Sequence, residues 1–281
     1  RVFIEKYIEE PRHIEIQIIG DQHGNIIHLG ERECSIQRRH QKVIEEAPSI
    51  FVDEELRKKM SDQAISLAKS VGYFSAGTVE FVVDKNKNFY FLEMNTRVQV
   101  EHPVTELITG LDLVELMIKV SNGDKLGLKQ ENIKFNGWAI EARIYAEDSS
   151  RMFLPSIGRL TRYIEPKGKN IRIDSGVVEG SEISMFYDPM ISKLCVFGKS
   201  RDLAIQSMIN VLDRYLIDGV QTNRDFLSNI FQNKKFRNGN FSTKFIEENF
   251  KDGYNSDKSV ITSSEEFFAV ATFIHFKYIV R

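Results

Sequence analysis

The chain has 281 residues, 42% of them hydrophobic and 28% charged, with a formal net charge of −2. That composition suits a folded globular protein of one large domain or two ordinary ones, and the near balance of charge gives no reason to expect a nucleic-acid or membrane-surface partner. The two cysteines, Cys34 and Cys195, lie far apart in sequence and form no CxxC, so neither a zinc site nor a disulfide framework is indicated and a reducing compartment is expected. The stretch Phe267 to Val280 is interrupted by His275 and Lys277 and is too short to span a bilayer.

The first third reads as β-rich. Ile14, Ile16 and Ile18 alternate with His13, Glu15 and Gln17, which is strand periodicity, and a turn over Asp21–Asn25 leads to a second strand at Ile26–Gly30. Asp53 is placed to cap a helix through Leu56, Met60, Ala64, Leu67 and Val71, stopping at Gly72. A hairpin follows, Thr78–Val83 and Phe89–Asn95, and a helix between Asp112 and Val120 ends at Gly123. In Trp138–Glu147 the residues Trp138, Ile140, Ala142 and Ile144 face one way and Ala139, Glu141, Arg143, Tyr145 and Glu147 the other. Further strands are expected at Arg159–Ile164, Ile171–Ile173 and Ile191–Phe197, then helices at Arg201–Tyr215, Arg224–Phe231 and Thr243–Asn249. Residues 251–264 read as a polar linker, and Glu265 to Arg281 as the start of another helix.

The hairpin carries the chemistry. A four-residue turn at Lys85–Asn88 pairs Asp84 with Phe89, and that register sets Glu80 directly across from Glu93. Like charges in that position repel, and a divalent cation between them removes the repulsion. Asn95 lies on the same face as Glu93, which completes a hard all-oxygen set suited to Mg²⁺ or Mn²⁺. The plainer alternative is a solvated hairpin face. Arg97 continues the row, and Glu101 adds a carboxylate available as a general base.

The segments EMNTRVQVEHPVTE (Glu93–Glu106) and ERECSIQRRHQKVIEEAP (Glu31–Pro48) closely resemble the signatures of biotin carboxylases. FIEKYIEEPRHIEIQ, GWAIEARIYAED, FLPSIGRLTRY, YDPMISKL and DGVQTN extend the resemblance over about residues 1–250. Within that family the wording is most similar to the biotin-carrying subunits of propionyl-CoA carboxylases. The resemblance implies an α+β fold: the C-terminal part of an ATP-grasp domain (1–132), the biotin carboxylase C-terminal domain (133–250), then a linker and the start of a following helix (251–281). It also implies an upstream α/β domain, ATP-binding lysines and a glycine-rich phosphate loop that do not occur in this chain, which begins at Arg1 rather than Met. The isolated chain is therefore expected to bind nucleotide weakly and not to turn over.

By the same resemblance Glu5, Lys6, Tyr7 and Ile8 line adenine, His13 contacts ribose or phosphate, and Gln37 and His40 approach the ribose. Lys42, Arg97, Gln99 and the Val100 amide hold bicarbonate. Glu80, Glu93 and Asn95 bind the metal, Glu101 is the general base, and Arg143 steadies the negative charge on the biotin ureido oxygen. Read alone, QRRHQK is a solvated basic loop, and Arg143 pairs with Glu141. Tyr187, Asp188 and Lys193 shape the wall near biotin, His102 and Pro103 shape a loop, and both cysteines pack inertly. The implied cofactors and substrates are ATP, Mg or Mn, bicarbonate and biotin on a biotinyl carrier domain. The implied partners are that carrier domain, a carboxyltransferase subunit and a second copy of the chain, in the cytoplasm or, in a eukaryote, the mitochondrial matrix. Another carboxyphosphate-forming ATP-grasp ligase, such as a carbamoyl-phosphate synthase, and a non-catalytic assembly module are the alternatives.

Overall fold

Alternation of β-branched and polar residues builds one long sheet whose two faces differ in kind. The computed structural model describes residues 2, 4, 6–251, 254 and 264–279. Eight strands form an antiparallel sheet in the order β11-β13-β6-β3-β2-β1-β4-β5. They are β1 (Arg12–Gly20), β2 (Ile26–Arg38), β3 (Gln41–Ala47), β4 (Ser75–Val83), β5 (Phe89–Asn95), β6 (Trp138–Tyr145), β11 (Ile171–Ser175) and β13 (Met190–Gly198). The short strands β7 (Glu147–Asp148) and β8 (Leu154–Pro155), β9 (Gly158–Arg159) and β12 (Glu182–Ile183), and β10 (Arg162–Ile164) and β14 (Leu216–Asp218) pair beside it. The sheet runs unbroken from the N-terminal to the C-terminal part of the chain through the β3–β6 ladder.

One face is apolar. Ile14, Ile16, Ile18, Val79, Phe81 and Val83 pack under Leu56, Met60, Ala64 and Ala68 of helix α1 (Glu54–Ser70). Asp53 caps that helix, its carboxylate accepting from Leu56 N at 2.8 Å, and Gly72 leaves it at a positive φ of 61°. Val71, expected on the buried stripe, lies past the helix end and is exposed. Farther along, Ile140, Ala142, Ile144, Leu194 and Val196 pack under α4 (Arg201–Arg214), α5 (Arg224–Gln232) and α7 (Phe245–Asn249), with α6 (Lys234–Arg237) between.

The opposite face is covered only in places. Helix α2 (His102–Thr109) seats Val104 and Ile108 on Ala47 and Ala139, and α3 (Leu113–Ser121), capped by Asp112, packs on Ile19, Ile27 and Ala76. Between them the polar partners of the isoleucines are buried as well: Glu15, Gln17 and Arg32 have no exposed surface. Helix α8 (Ser264–Ile279) exposes Phe267, Phe268, Phe273 and Phe276. Among the described residues no helix is long and apolar enough to cross a membrane.

Three sequence expectations need correction. The basic segment QRRHQK is not a loop: β2 continues to Arg38 and returns as β3, an element the sequence reading missed. His102 and Pro103 do not shape a loop but open helix α2. The expected strand Arg159–Ile164 is split into β9 and β10. Most of the expected linker, and residues 280–281 of the last helix, lie outside the described residues.

Candidate active site

The β4–β5 hairpin turns over Asp84–Asn88, held by the Asp84 carboxylate accepting from the Asn86 and Asn88 amides at 2.8 and 2.9 Å. Pairing starts one residue earlier than expected, at Val83 and Phe89 rather than Asp84 and Phe89. Glu80 nonetheless faces Glu93, because the register shifts between Phe81 and Glu80 and leaves Leu92 as an extra residue. This bulge reorients the strand. Phe89 and Phe91 turn their edges to Phe81 on the apolar face, while Leu92, Glu93 and Asn95 line a cleft on the other.

A second bulge positions Lys42. The β2–β3 turn has two residues, Arg39 and His40, both at positive φ. The register then jumps from Gln37–Lys42 to Ile36–Ile44 and leaves Val43 unopposed. Val43 and Ile44 both join the apolar core, so Lys42 and Glu45 share the polar face despite standing three residues apart. Lys42 Nζ donates to Glu15 Oε2 at 2.5 Å, Glu101 Oε1 at 2.6 Å and Glu80 Oε1 at 3.1 Å. Three ammonium protons meet three carboxylates.

Glu101, at the N-cap of α2 and nearly buried, uses its second oxygen for Arg143, whose Nη2 donates at 3.0 Å. Arg143 Nε donates to Glu45 Oε1 at 2.6 Å. Its carboxylate partners are therefore Glu45 and Glu101, and the expected alternative, Glu141, is not among them. Gln99 donates to Glu80 at 2.6 Å, and Lys193 donates to the Val100 carbonyl at 2.7 Å. Arg97 is exposed and donates to Asn95 Oδ1 at 3.1 Å.

Asn95 lies beside both carboxylates of the hairpin. Its Nδ2, not its oxygen, faces the two carboxylates, 3.0 Å from Glu80 and 3.0 Å from Glu93. An N–H₂ group shared between two carboxylates relieves their repulsion. His13 Nε2 lies 2.6 Å from Glu80 Oε2, and His13 Nδ1 is 2.9 Å from Gln37.

Beneath this surface lies Arg32, which the sequence reading did not single out. Its guanidinium donates to Glu15, Gln17, Thr78, Gln99 and Thr105 at 2.5 to 3.1 Å, one acceptor for each of its five N–H groups. It ties β1, β2, β4, the Gln99 loop and α2 together. Burial alone would push the Glu15 carboxyl up, but Arg32 and Lys42 hold it below its ordinary range. Burial likewise acts upward on Glu80, and hydrogen bonds from His13 and Lys42 overcome it, down to about 2. Burial acts downward on the Lys42 ammonium, and Glu15 and Glu101 reverse it, so Lys42 stays charged.

The cleft over these groups has a volume of about 460 Å³ and is lined by His13, Gln37, His40, Lys42, Glu80, Glu93, Asn95, Arg97, Gln99, Val100, Glu101 and Arg143. An adjoining cavity of about 800 Å³ shares Gln37 and His40 and adds Tyr7, Arg38, Phe153 and Lys244. Lys6 and Ile8 line neither cavity; Lys6 instead donates to the Tyr90 hydroxyl at 2.9 Å. Glu5 lies outside the described residues. Tyr187 is exposed, and burial pushes both cysteine thiols well above their ordinary range.

A cleft of mixed charge over a hairpin of opposed carboxylates lies on a sheet that continues into a second α+β unit, and both units match known families. Residues 1–129 match the family model for the carbamoyl-phosphate synthase L chain ATP-binding domain, and residues 141–248 match that for the biotin carboxylase C-terminal domain. The chain belongs to the ATP-grasp biotin carboxylase family. It is 54% identical over 295 aligned residues to the propionyl-CoA carboxylase alpha chain of Ruegeria pomeroyi, covering 98% of this chain and 43% of that one. It is 55% identical over 274 residues to the mitochondrial propionyl-CoA carboxylase alpha chain of Homo sapiens, covering 97% of this chain and 38% of that one. Among solved structures, the biotin carboxylase domain dimer of Hydrogenobacter thermophilus 2-oxoglutarate carboxylase, in complex with MgADP, ADP and bicarbonate, matches with a TM-score of 0.85. The two are 50% identical, and the match covers 87% of this chain and 54% of that one. The chain thus spans about half or less of the length of these relatives.

Proposed function

We propose that this chain forms the bicarbonate- and biotin-facing part of a biotin carboxylase that carboxylates biotin with ATP and bicarbonate. The observation that carries this reading is Glu101, a carboxylate gripped by Lys42 and Arg143 beside the Glu80–Glu93 pair. A small oxyanion entering the cleft meets three cationic groups, Lys42, Arg97 and Arg143, with Gln99 and the Val100 amide as further donors. Glu101 stands within reach to take its proton. The deprotonated bicarbonate attacks the γ-phosphate of ATP, the bond to the β,γ-bridging oxygen breaks to release ADP, and the carboxyphosphate formed breaks down to CO₂ and phosphate. The released phosphate takes the proton from the biotin ureido nitrogen, Arg143 steadies the resulting enolate oxygen, and the nitrogen captures CO₂.

The opposed Glu80 and Glu93, with Asn95 in support, fit a hard divalent cation, Mg²⁺ or Mn²⁺. When bound, such an ion draws off charge from the phosphate oxygens during phosphoryl transfer. The larger cavity, with Tyr7, His40 and Lys244 on its walls, suits the nucleoside of ATP, and the match to the MgADP- and bicarbonate-bound relative supports that assignment. Glu5, Lys6 and Ile8 join this adenine region only through the resemblance of their motif.

Similarity to the two propionyl-CoA carboxylase alpha chains supports propionyl-CoA as the final acceptor, reached through a biotinyl carrier domain and a separate carboxyltransferase subunit. Self-association fits the dimeric relative, and the compartment is the cytoplasm or, in a eukaryote, the mitochondrial matrix. The match of residues 141–248 favours biotin over a carbamoyl-phosphate synthase reaction. The test is acceptor choice. With the protein at the length of its relatives, free biotin should raise bicarbonate-dependent ATP cleavage; cleavage that is indifferent to biotin would reject biotin as the acceptor.

A further inference from the structure

Glu45 on β3 and Glu141 on β6 stand directly opposite each other, and neither has exposed surface. Glu45 Oε1 accepts from Arg143, and Glu141 Oε2 accepts from the Cys195 thiol at 3.2 Å. That leaves Glu45 Oε2 and Glu141 Oε1 buried without a hydrogen-bond partner. Two carboxylates facing each other in a dry interior do not both ionise unless cations compensate them. The charged and titratable groups around the pair are Arg143 beside Glu141 on β6, Lys193 and Cys195 from β13, Glu101 from the start of α2, and Lys42 from β3. Arg143 is already divided between Glu45 and Glu101, Lys193 is held by Asp174 and the Val100 carbonyl, and Lys42 by three carboxylates. None of these cations hydrogen-bonds to Glu141, whereas one proton on the pair removes the repulsion between two opposed buried carboxylates.

We propose that Glu45 and Glu141 share one proton, Glu141 as the carboxylic acid and Glu45 as the carboxylate, and that this pair positions Arg143 for the biotin carboxylase reaction. The role in positioning rests on the functional reading above; the shared proton does not. Burial pushes both carboxyls up, and the guanidinium pulls Glu45 back because it bonds to that residue directly. The acid O–H donates to Glu45 and fixes its carboxylate with Oε1 toward Arg143 Nε. With one negative charge in the pair rather than two, the guanidinium keeps positive charge for Glu101 and for the anion developing on biotin.

The test uses the protein at the length of its relatives. The infrared spectrum of the wild type should show a protonated-carboxyl carbonyl band that shifts in D₂O and is lost in Glu141→Gln. Glu141→Ala should lower kcat for biotin carboxylation about tenfold or more, with KM for ATP unchanged, and Glu141→Gln, which keeps a neutral donor, should recover most of that loss. Glu45→Gln, which removes the anion against Arg143, should show no such recovery. Absence of the Glu141-dependent band, or equal losses in Glu141→Gln and Glu45→Gln, would overturn the proposal. If Glu45→Gln does not fold, the band decides. If the wild type proves inactive on biotin, the band is still required, so failure of the functional reading and failure of the shared proton are told apart.

Discussion

Lys42 Nζ lies 2.6 Å from Glu101 Oε1, although 59 residues separate the two in the chain. The contact joins the β2–β3 hairpin to the N-terminus of α2 across the sheet, and both residues are largely shielded from water. The fold itself thus holds together the carboxylate and the ammonium group proposed above as base and anion-binding cation.

Removing the base should be decisive. Glu101→Gln keeps size and hydrogen-bonding capacity but loses the negative charge that takes a proton. In the protein at the length of its relatives, bicarbonate-dependent ATP cleavage should fall by about 10²-fold or more. A rate near that of the wild type would reject Glu101 as the base.

Arg32 should matter for stability. Substituting methionine leaves Glu15 buried without its main counter-charge and strands four further acceptors, at a cost of about 3–5 kcal/mol. Arg32→Lys should recover little, since an ammonium cannot reproduce a planar fork of five donors. Urea unfolding of the described chain and both variants measures the difference.

The opposed carboxylates give opposite signs with and without metal. In chelated buffer Glu93→Gln should stabilise the chain slightly, by less than about 1 kcal/mol, because it removes a like-charge pair. The wild type should gain thermal stability on titration with Mn²⁺, and the variant should lose that gain. Equal metal-induced shifts in both proteins would contradict Glu93 as a ligand.

Acid should weaken the cluster over a defined range. Because the Glu80 carboxyl is depressed from 4.5 to about 2, its stabilisation is complete above the ordinary glutamate range and drains away as pH falls toward about 2. Unfolding free energies measured across that interval in metal-free buffer should decline more steeply for the wild type than for Glu80→Gln. Parallel curves would refute the assignment.

How much of this could be read from sequence follows from what periodicity can carry. The cap Asp53, the helix beginning after Asp112, the Ile14–Ile16–Ile18 face and the Trp138–Tyr145 alternation were legible because local pattern sets them; Glu147, expected to continue that alternation, falls in the separate strand β7. The Glu80–Glu93 pairing was reached through a turn one residue off, and the bulge at Leu92 made up the difference. Read with strict alternation, Phe91 and Glu93 share a face, and only the bulge separates them. The bulge at Val43 hid the kinship of Lys42 and Glu45 in the same way. The turn at Arg39–His40 lacks the Asn-Gly signal that marks such hairpins, so β3 read as loop. Arg32 and Glu15 look like the solvent side of an amphipathic strand, and nothing local reveals that α2 reaches Arg32 or that Arg32 and Lys42 close over Glu15.

The most direct measurement is ATP hydrolysis by the protein at the length of its relatives, with and without bicarbonate and biotin. Hydrolysis that requires bicarbonate and rises with biotin is the predicted result. No hydrolysis under any of these conditions would contradict the account and leave the cleft a structural remnant in an assembly module.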